Sequence, residues 1–130
     1  MVFPSRPFIS YLARRLLTMV EGETHNSEWE SLSENESFPK ARFDMGQIVI
    51  TTGADITLAQ IERHPVQLLA RHVEGDWGNL DEHDKELNEQ ALNPDFPTRV
   101  FSAYNIDDER FYVITEWDRS ATTILRPDEY

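Results

Sequence analysis

The sequence predicts an α+β fold: a small single domain with an N-terminal strand, two or three helices and a three-stranded antiparallel C-terminal meander, preceded by an amphipathic helix and a linker. Three observations predict it. Residues 111–125 hold the chain's highest density of β-branched and aromatic side chains, broken once by Asp118-Arg119-Ser120, which reads as two antiparallel strands around a bend. Asp107-Asp108-Glu109 supplies a hairpin turn from a further strand over residues 98–105. The helical signals precede these strands instead of alternating with them, which separates α+β from α/β.

Residues 1–20 contain Arg6, Arg14 and Arg15 and no acid. Pro7 is placed for a first helical turn, and Phe8, Leu12, Leu16 and Met19 recur at helical spacing. Such a helix can lie on a membrane surface, or dock on the domain or a partner subunit. Residues 21–43 are rich in Glu, Ser and Asn and read as a polar linker. Charge sharpens the boundary. Residues 1–43 hold five bases and six acids, net −1, whereas residues 44–130 hold seven bases and eighteen acids, net −11. The expected organisation is therefore helix 1–20, linker 21–43 and a compact acidic domain 44–130.

Within the domain, Gln47-Ile48-Val49-Ile50-Thr51 is a strand by β-branched content, ended at Thr52-Gly53. Asp55 or Thr57 caps a short helix carrying Ile56, Leu58, Ala59 and Ile61. His64-Pro65 breaks it, because a residue before proline is pushed out of the α region. Pro65 opens a second helix with Val66, Leu68, Leu69 and Val73 inward, and Gly75 fits its C-terminal end. Asp81 caps a third helix running to about Ala91. Its only apolar residues are Leu87, Ala91 and the adjoining Leu92, so it lies on the surface with its acids outward.

At 130 residues there is room for one core. The formal net charge of −12 repels bare nucleic acid and favours a protein partner with a basic surface. There is no cysteine, hence no disulfide, thiol nucleophile or Cys-type zinc site. No apolar run reaches the roughly 20 residues of a transmembrane helix, and the expected location is cytoplasmic.

Two clusters could carry chemistry. In His72-Val73-Glu74-Gly75-Asp76-Trp77-Gly78, His72 near a helix end would be favoured as a cation by the helix C-terminus, with Asp76 as its orienting carboxylate in acid–base work. The preferred reading of the same residues is a helix stop, with Gly75 terminating, Trp77 anchoring in the core and Asp76 bonding local amides. In the second cluster, Glu116 and Asp118 fall on one strand face, roughly 6–7 Å apart if the strand continues. They could share acid and base roles or bind a cation, with Arg119 holding a phosphate or pairing with them. Alternatively they are an ordinary charged turn. A metal site from His72, Asp76 and His83 matches no ligand spacing, so no metal or cofactor is expected. His25, His64 and His83 otherwise read as surface residues. Ser102 and Ser120 lack a nucleophile-elbow motif.

Several stretches are similar to a family of small bacterial proteins carried on plasmids, phages and integrated elements, labelled plasmid-related. They are Gly46-Gln47-Ile48-Val49, Leu69-Ala70-Arg71-His72-Val73-Glu74-Gly75-Asp76-Trp77-Gly78, Ser102-Ala103-Tyr104, Val113-Ile114-Thr115-Glu116, Asp118-Arg119-Ser120-Ala121-Thr122-Thr123-Ile124-Leu125 and Pro127-Asp128-Glu129-Tyr130. Trp117 and Arg126 depart from its pattern. The resemblance covers residues 43–130 and implies carriage on a mobile element; it brings no catalytic residues with it. The expectation is an acidic interaction module that mimics nucleic acid toward a basic defence or regulatory protein. The alternative is a small acid–base or metal-dependent, nuclease-like hydrolase using His72, Asp76, Glu116, Asp118 and Arg119.

Overall fold

A computed structural model describes Phe38 and residues 40–130; the expected N-terminal helix and nearly all of the linker lie outside the described residues. The order is β1 (Gln47–Ile50), α1 (Thr52–Gln60), α2 (Pro65–Val73), α3 (Glu82–Ala91), β2 (Val100–Ile106), β3 (Glu109–Thr115), β4 (Ala121–Leu125) and a closing 3-10 turn, Pro127–Glu129. The α+β reading therefore holds. The sheet, however, has four strands in the order β1-β4-β3-β2, because β1 joins the meander at its open side and runs parallel to β4. Gln47 pairs with Ala121 and Ile50 with Ile124. A meander left at three strands would expose the backbone groups of β4, and β1 satisfies them.

Local chemistry explains the elements. Asp107 and Asp108 both have positive φ, 50° and 66°, as a tight two-residue hairpin requires, and Asp tolerates that region. Helix α1 begins earlier than residues 55–57. Its N-cap is Thr51, whose hydroxyl accepts from the Ala54 amide at 3.2 Å and donates to Glu129 at 2.6 Å. That second bond ties the C-terminal turn to the helix start. His64 is no idle surface residue: Nδ1 accepts from the Val66 amide at 3.1 Å, closing a capping box with Gln67 at the start of α2. Asp81 caps α3 through the Asp84 amide at 2.8 Å.

One face of the sheet meets the helices, with Tyr104, Phe111, Val113, Ile50 and Ile124 packed against Leu58, Leu68, Leu69 and Val73. Phe38 and Phe43 pack into this body, and Arg42 forms a two-point bridge to Glu89 on α3 at 3.0 and 2.8 Å. The compact unit thus reaches back at least to Phe38. Placing 21–43 wholly in a linker is corrected, since polar composition around two phenylalanines hid their anchoring role.

The outer edge of β2 is closed without another strand. Asn88 on α3 donates to the Phe101 carbonyl at 2.7 Å and accepts from the Phe101 amide at 3.0 Å. Further along, Asn79 and Ala103 form a backbone bond of 2.6 Å, and the Asn79 side chain accepts from the Asn105 amide. At Gly78, with φ 76°, an added Cβ would stand 2.0 Å from the Ala103 carbonyl oxygen, so glycine allows this approach. An edge so occupied offers little to a foreign strand.

Candidate functional site

Both predicted clusters fall near the junction of α2, the sheet and the 116–120 turn, and their chemistry differs from expectation. His72, in the last turn of α2, is completely buried. Its Nδ1 lies 2.7 Å from Ser102 Oγ on β2, and its Nε2 lies 2.9 Å from Thr115 Oγ1 on β3. Thr115 Oγ1 is 2.6 Å from Thr122 Oγ1 on β4, and Thr122 donates to the Met45 carbonyl at 2.8 Å.

Counting protons fixes the direction of the whole chain. A backbone carbonyl can only accept, so Thr122 spends its one hydrogen on Met45. Thr115 must then donate to Thr122, which leaves its own oxygen to accept from His72. His72 therefore carries a proton on Nε2, and in the neutral ring the bare Nδ1 accepts from the Ser102 hydroxyl. Every member is satisfied with imidazole neutral. Burial pushes the His72 pKa down to about 3, and the nearby positive charge of Arg119 pushes in the same direction. The expectation of a helix-stabilised cation is overturned, because desolvation outweighs the interaction with the helix end.

The Ser102–His72 contact has the composition of a nucleophile and its base. Both residues are sealed from solvent, however, and the far nitrogen faces a threonine where a triad would place an orienting carboxylate. Sequence spacing gave no hint of this pair: the two residues lie 30 positions apart on different elements.

Asp76 does not orient His72. Its carboxylate accepts from Arg71 Nε at 2.7 Å and from the Gly78 amide at 3.1 Å. The Arg71 bond holds its pKa below the usual carboxylate range, helped by the Gly78 amide against partial burial. Trp77 is buried and donates Nε1–H to Glu89 at 2.8 Å. With Gly75 at φ 91° just past the α2 end, this is the arrangement of a helix stop.

Glu116 and Asp118 do not share a strand face, because β3 ends at Thr115 and residues 116–120 turn. Both are exposed. Asp118 accepts from the Ser120 amide at 3.0 Å, and its bonds to the Ser120 side chain and backbone lower its pKa. Arg119 neither pairs with these carboxylates nor reaches outward. With φ 60°, it turns its guanidinium onto backbone carbonyls, donating to Thr98 and Ala91 at 2.7 Å each and to Glu116 at 3.2 Å. The guanidinium also lies 5.7 Å over the Phe43 ring, which meets His72 edge-on at 5.2 Å. His83 is exposed on α3. Among the described residues no group of three or more His, Cys, Asp or Glu could hold a metal ion. Nor is any helix among them long and apolar enough to cross a membrane.

Sequence reasoning missed a cleft of about 820 Å³ on the other side of the sheet. Leu87 and Asn88 of α3 form one wall, Phe101 and Tyr112 of the sheet another, with Phe96 and Tyr130 at its borders. Tyr112 packs on Phe101 at 4.7 Å between centroids and meets Tyr130 edge-on at 6.0 Å. Arg99 lies over both Phe101 and Tyr130 and donates to the Tyr130 hydroxyl. Phe96 is 75% exposed, Tyr130 58% and Leu87 47%, a concentration of uncovered apolar surface beside an acidic helix. The available signal was Phe96 standing in a two-proline loop.

Fold and site together define a small α+β scaffold with a closed polar core and an open aromatic cleft. Neither family models, nor curated proteins, nor solved structures return a match to the chain.

Proposed function

We propose that this chain is a non-enzymatic, acidic interaction module of a mobile genetic element, acting in the bacterial cytoplasm by docking a protein with a basic surface. In its fullest form it occupies a surface that otherwise holds nucleic acid. The observation carrying this reading is α3 with its N-cap: residues 81–90 hold five acids against one lysine, and Asp81, Glu82, Asp84, Glu86 and Glu89 are all exposed. A helix presents such charges in a fixed array, and Asn88 and the Arg42–Glu89 bridge brace it on the body. Plasmid and phage carriage rests on the resemblance of residues 43–130. The hydrolase alternative gains no support from a buried, neutral His72 whose ring nitrogens are both engaged.

The test is capture by the tagged full chain from a bacterial lysate. Raising salt from about 0.1 M to about 1 M shortens the Debye length from roughly 10 Å to roughly 3 Å and should release the partner. The double variant Glu82→Lys/Glu86→Lys should lose capture while melting like the wild type. Retention that ignores both salt and charge reversal overturns the reading.

A further inference from the structure

We infer that the aromatic cleft is the docking site of the chain's own N-terminal segment, residues 7–20, bound in cis by its apolar stripe. Three features of the molecule select this occupant over others.

The first is chemical fit. The cleft presents Leu87, Phe101, Tyr112 and Tyr130 to an incoming side chain, and its volume of about 820 Å³ accommodates several large ones. Phe8, Leu12, Leu16 and Met19 recur on one side of a helical projection and match that demand.

The second is charge. The segment 1–20 has three arginines and no acid, whereas α3, which forms one wall, carries Asp84 in the lining and further acids beside it. On the same helical projection Arg14 falls opposite the stripe through Leu12 and Leu16, while Arg15 flanks it beside Phe8.

The third is reach. The chain enters the described fold at Phe38, in the core on the helix-covered face of the sheet, so the tether has to pass round the edge of the fold to reach the cleft. Residues 21–37 can span up to roughly 55–60 Å at about 3.3–3.6 Å per residue. A globule of this length has a radius of gyration of only about 12 Å, so the cleft is within range. Tethering also supplies an effective concentration on the order of millimolar, at which even weak docking fills the site.

The absence of native cysteine makes the test clean. Full-length protein carrying Leu16→Cys with Leu87→Cys is oxidised at low micromolar concentration and resolved by non-reducing electrophoresis. A control joins Leu16→Cys to Ile56→Cys, which is comparably exposed at 48% on α1, outside the cleft lining. The expected result is a cross-linked monomer forming at least about tenfold faster for Leu87→Cys than for Ile56→Cys, in line with the gain from tethered docking. Phe96→Cys, at a 75% exposed position, serves as a second acceptor should Leu87→Cys disturb α3. Equal rates at cleft and control positions, or no cross-link at any, overturn the inference. A cross-linked dimer in place of the monomer also overturns it, by assigning the cleft to a second copy.

Discussion

His72 donates Nε2–H to Thr115 Oγ1 across 2.9 Å, and this one bond sets the tautomer of a fully buried imidazole. From it runs a single-file polar chain through Ser102, His72, Thr115, Thr122 and the Met45 carbonyl, joining α2, three strands and the segment leading into β1.

The tautomer is directly observable. Long-range nitrogen–proton spectra should show His72 protonated on Nε2 and neutral at pH 7, with no titration near 6.5. A ring protonated on Nδ1 alone would contradict the proton count, and a midpoint close to 6.5 would contradict the effect of burial.

The same residue makes stability pH-dependent. His72 has a folded pKa of about 3, below the 6.5 of the unfolded chain, so the unfolded state binds the extra proton between those values. Its contribution is complete above about pH 6.5 and falls with acidification by about 1.4 kcal/mol per pH unit, down through pH 3. Asp76, Glu89 and Asp118, all lowered, add loss of the same sign in the acid carboxylate range. Urea unfolding of wild type and His72→Gln between pH 6.5 and 5 isolates the histidine, and the slope should vanish in the variant.

Thr115→Val preserves shape but leaves the His72 Nε2–H without an acceptor. An orphaned buried donor costs about 1–3 kcal/mol. Thr122→Val takes the acceptor from the Thr115 hydroxyl and a donor from the Met45 carbonyl, two bonds against one orphaned His72 donor, and the loss should be at least as large. Chemical denaturation that ranks them in the opposite order would point to packing in place of the network.

Arg119 fastens the 116–120 turn to the end of α3 and to the loop before β2. Arg119→Ala should cost about 2–3 kcal/mol, since bonds from a charged donor contribute about 1.5–3 each and this group is partly exposed. At φ 60°, Arg119→Gly should recover about 1 kcal/mol relative to alanine. Asp118→Ala loses only an exposed bond to the Ser120 amide and should lower the melting temperature less than Arg119→Ala does. Thermal melts of the three variants test the order.

Asn88→Ala removes two bonds from the edge of β2 and should cost about 2 kcal/mol, at about 1 kcal/mol per bond. It also bares backbone on an edge strand. Light scattering should report faster aggregation than in Leu87→Ala, which leaves that edge closed.

Much of the fold was legible because its signals are local. β-branched density marked β3 and β4, the Asp107-Asp108 turn marked their hairpin with β2, and Pro65, Gly75 and Asp81 marked helix ends. Each acts on φ, ψ and hydrogen bonding within a few residues. Local signals misled where tertiary contacts competed: Phe38 and Phe43 sat in polar surroundings, and β3 stopped before Glu116. The candidate site was barely legible. His72, Asp76 and Arg119 were conspicuous as residue types, but their roles depend on what each meets.

The α+β class, the order of the described elements and an acidic α3 facing solvent follow from short windows and composition. The parallel pairing of β1 with β4, the binding of Arg119 to carbonyls and not carboxylates, and the neutrality of His72 come from the assembled fold. These contacts join residues far apart in the chain. His72 meets Ser102 and Thr115 across 30 and 43 positions, and Thr122 meets Met45 across 77. Desolvation, which sets the charge of His72, belongs to the assembled core and to no stretch of chain within it.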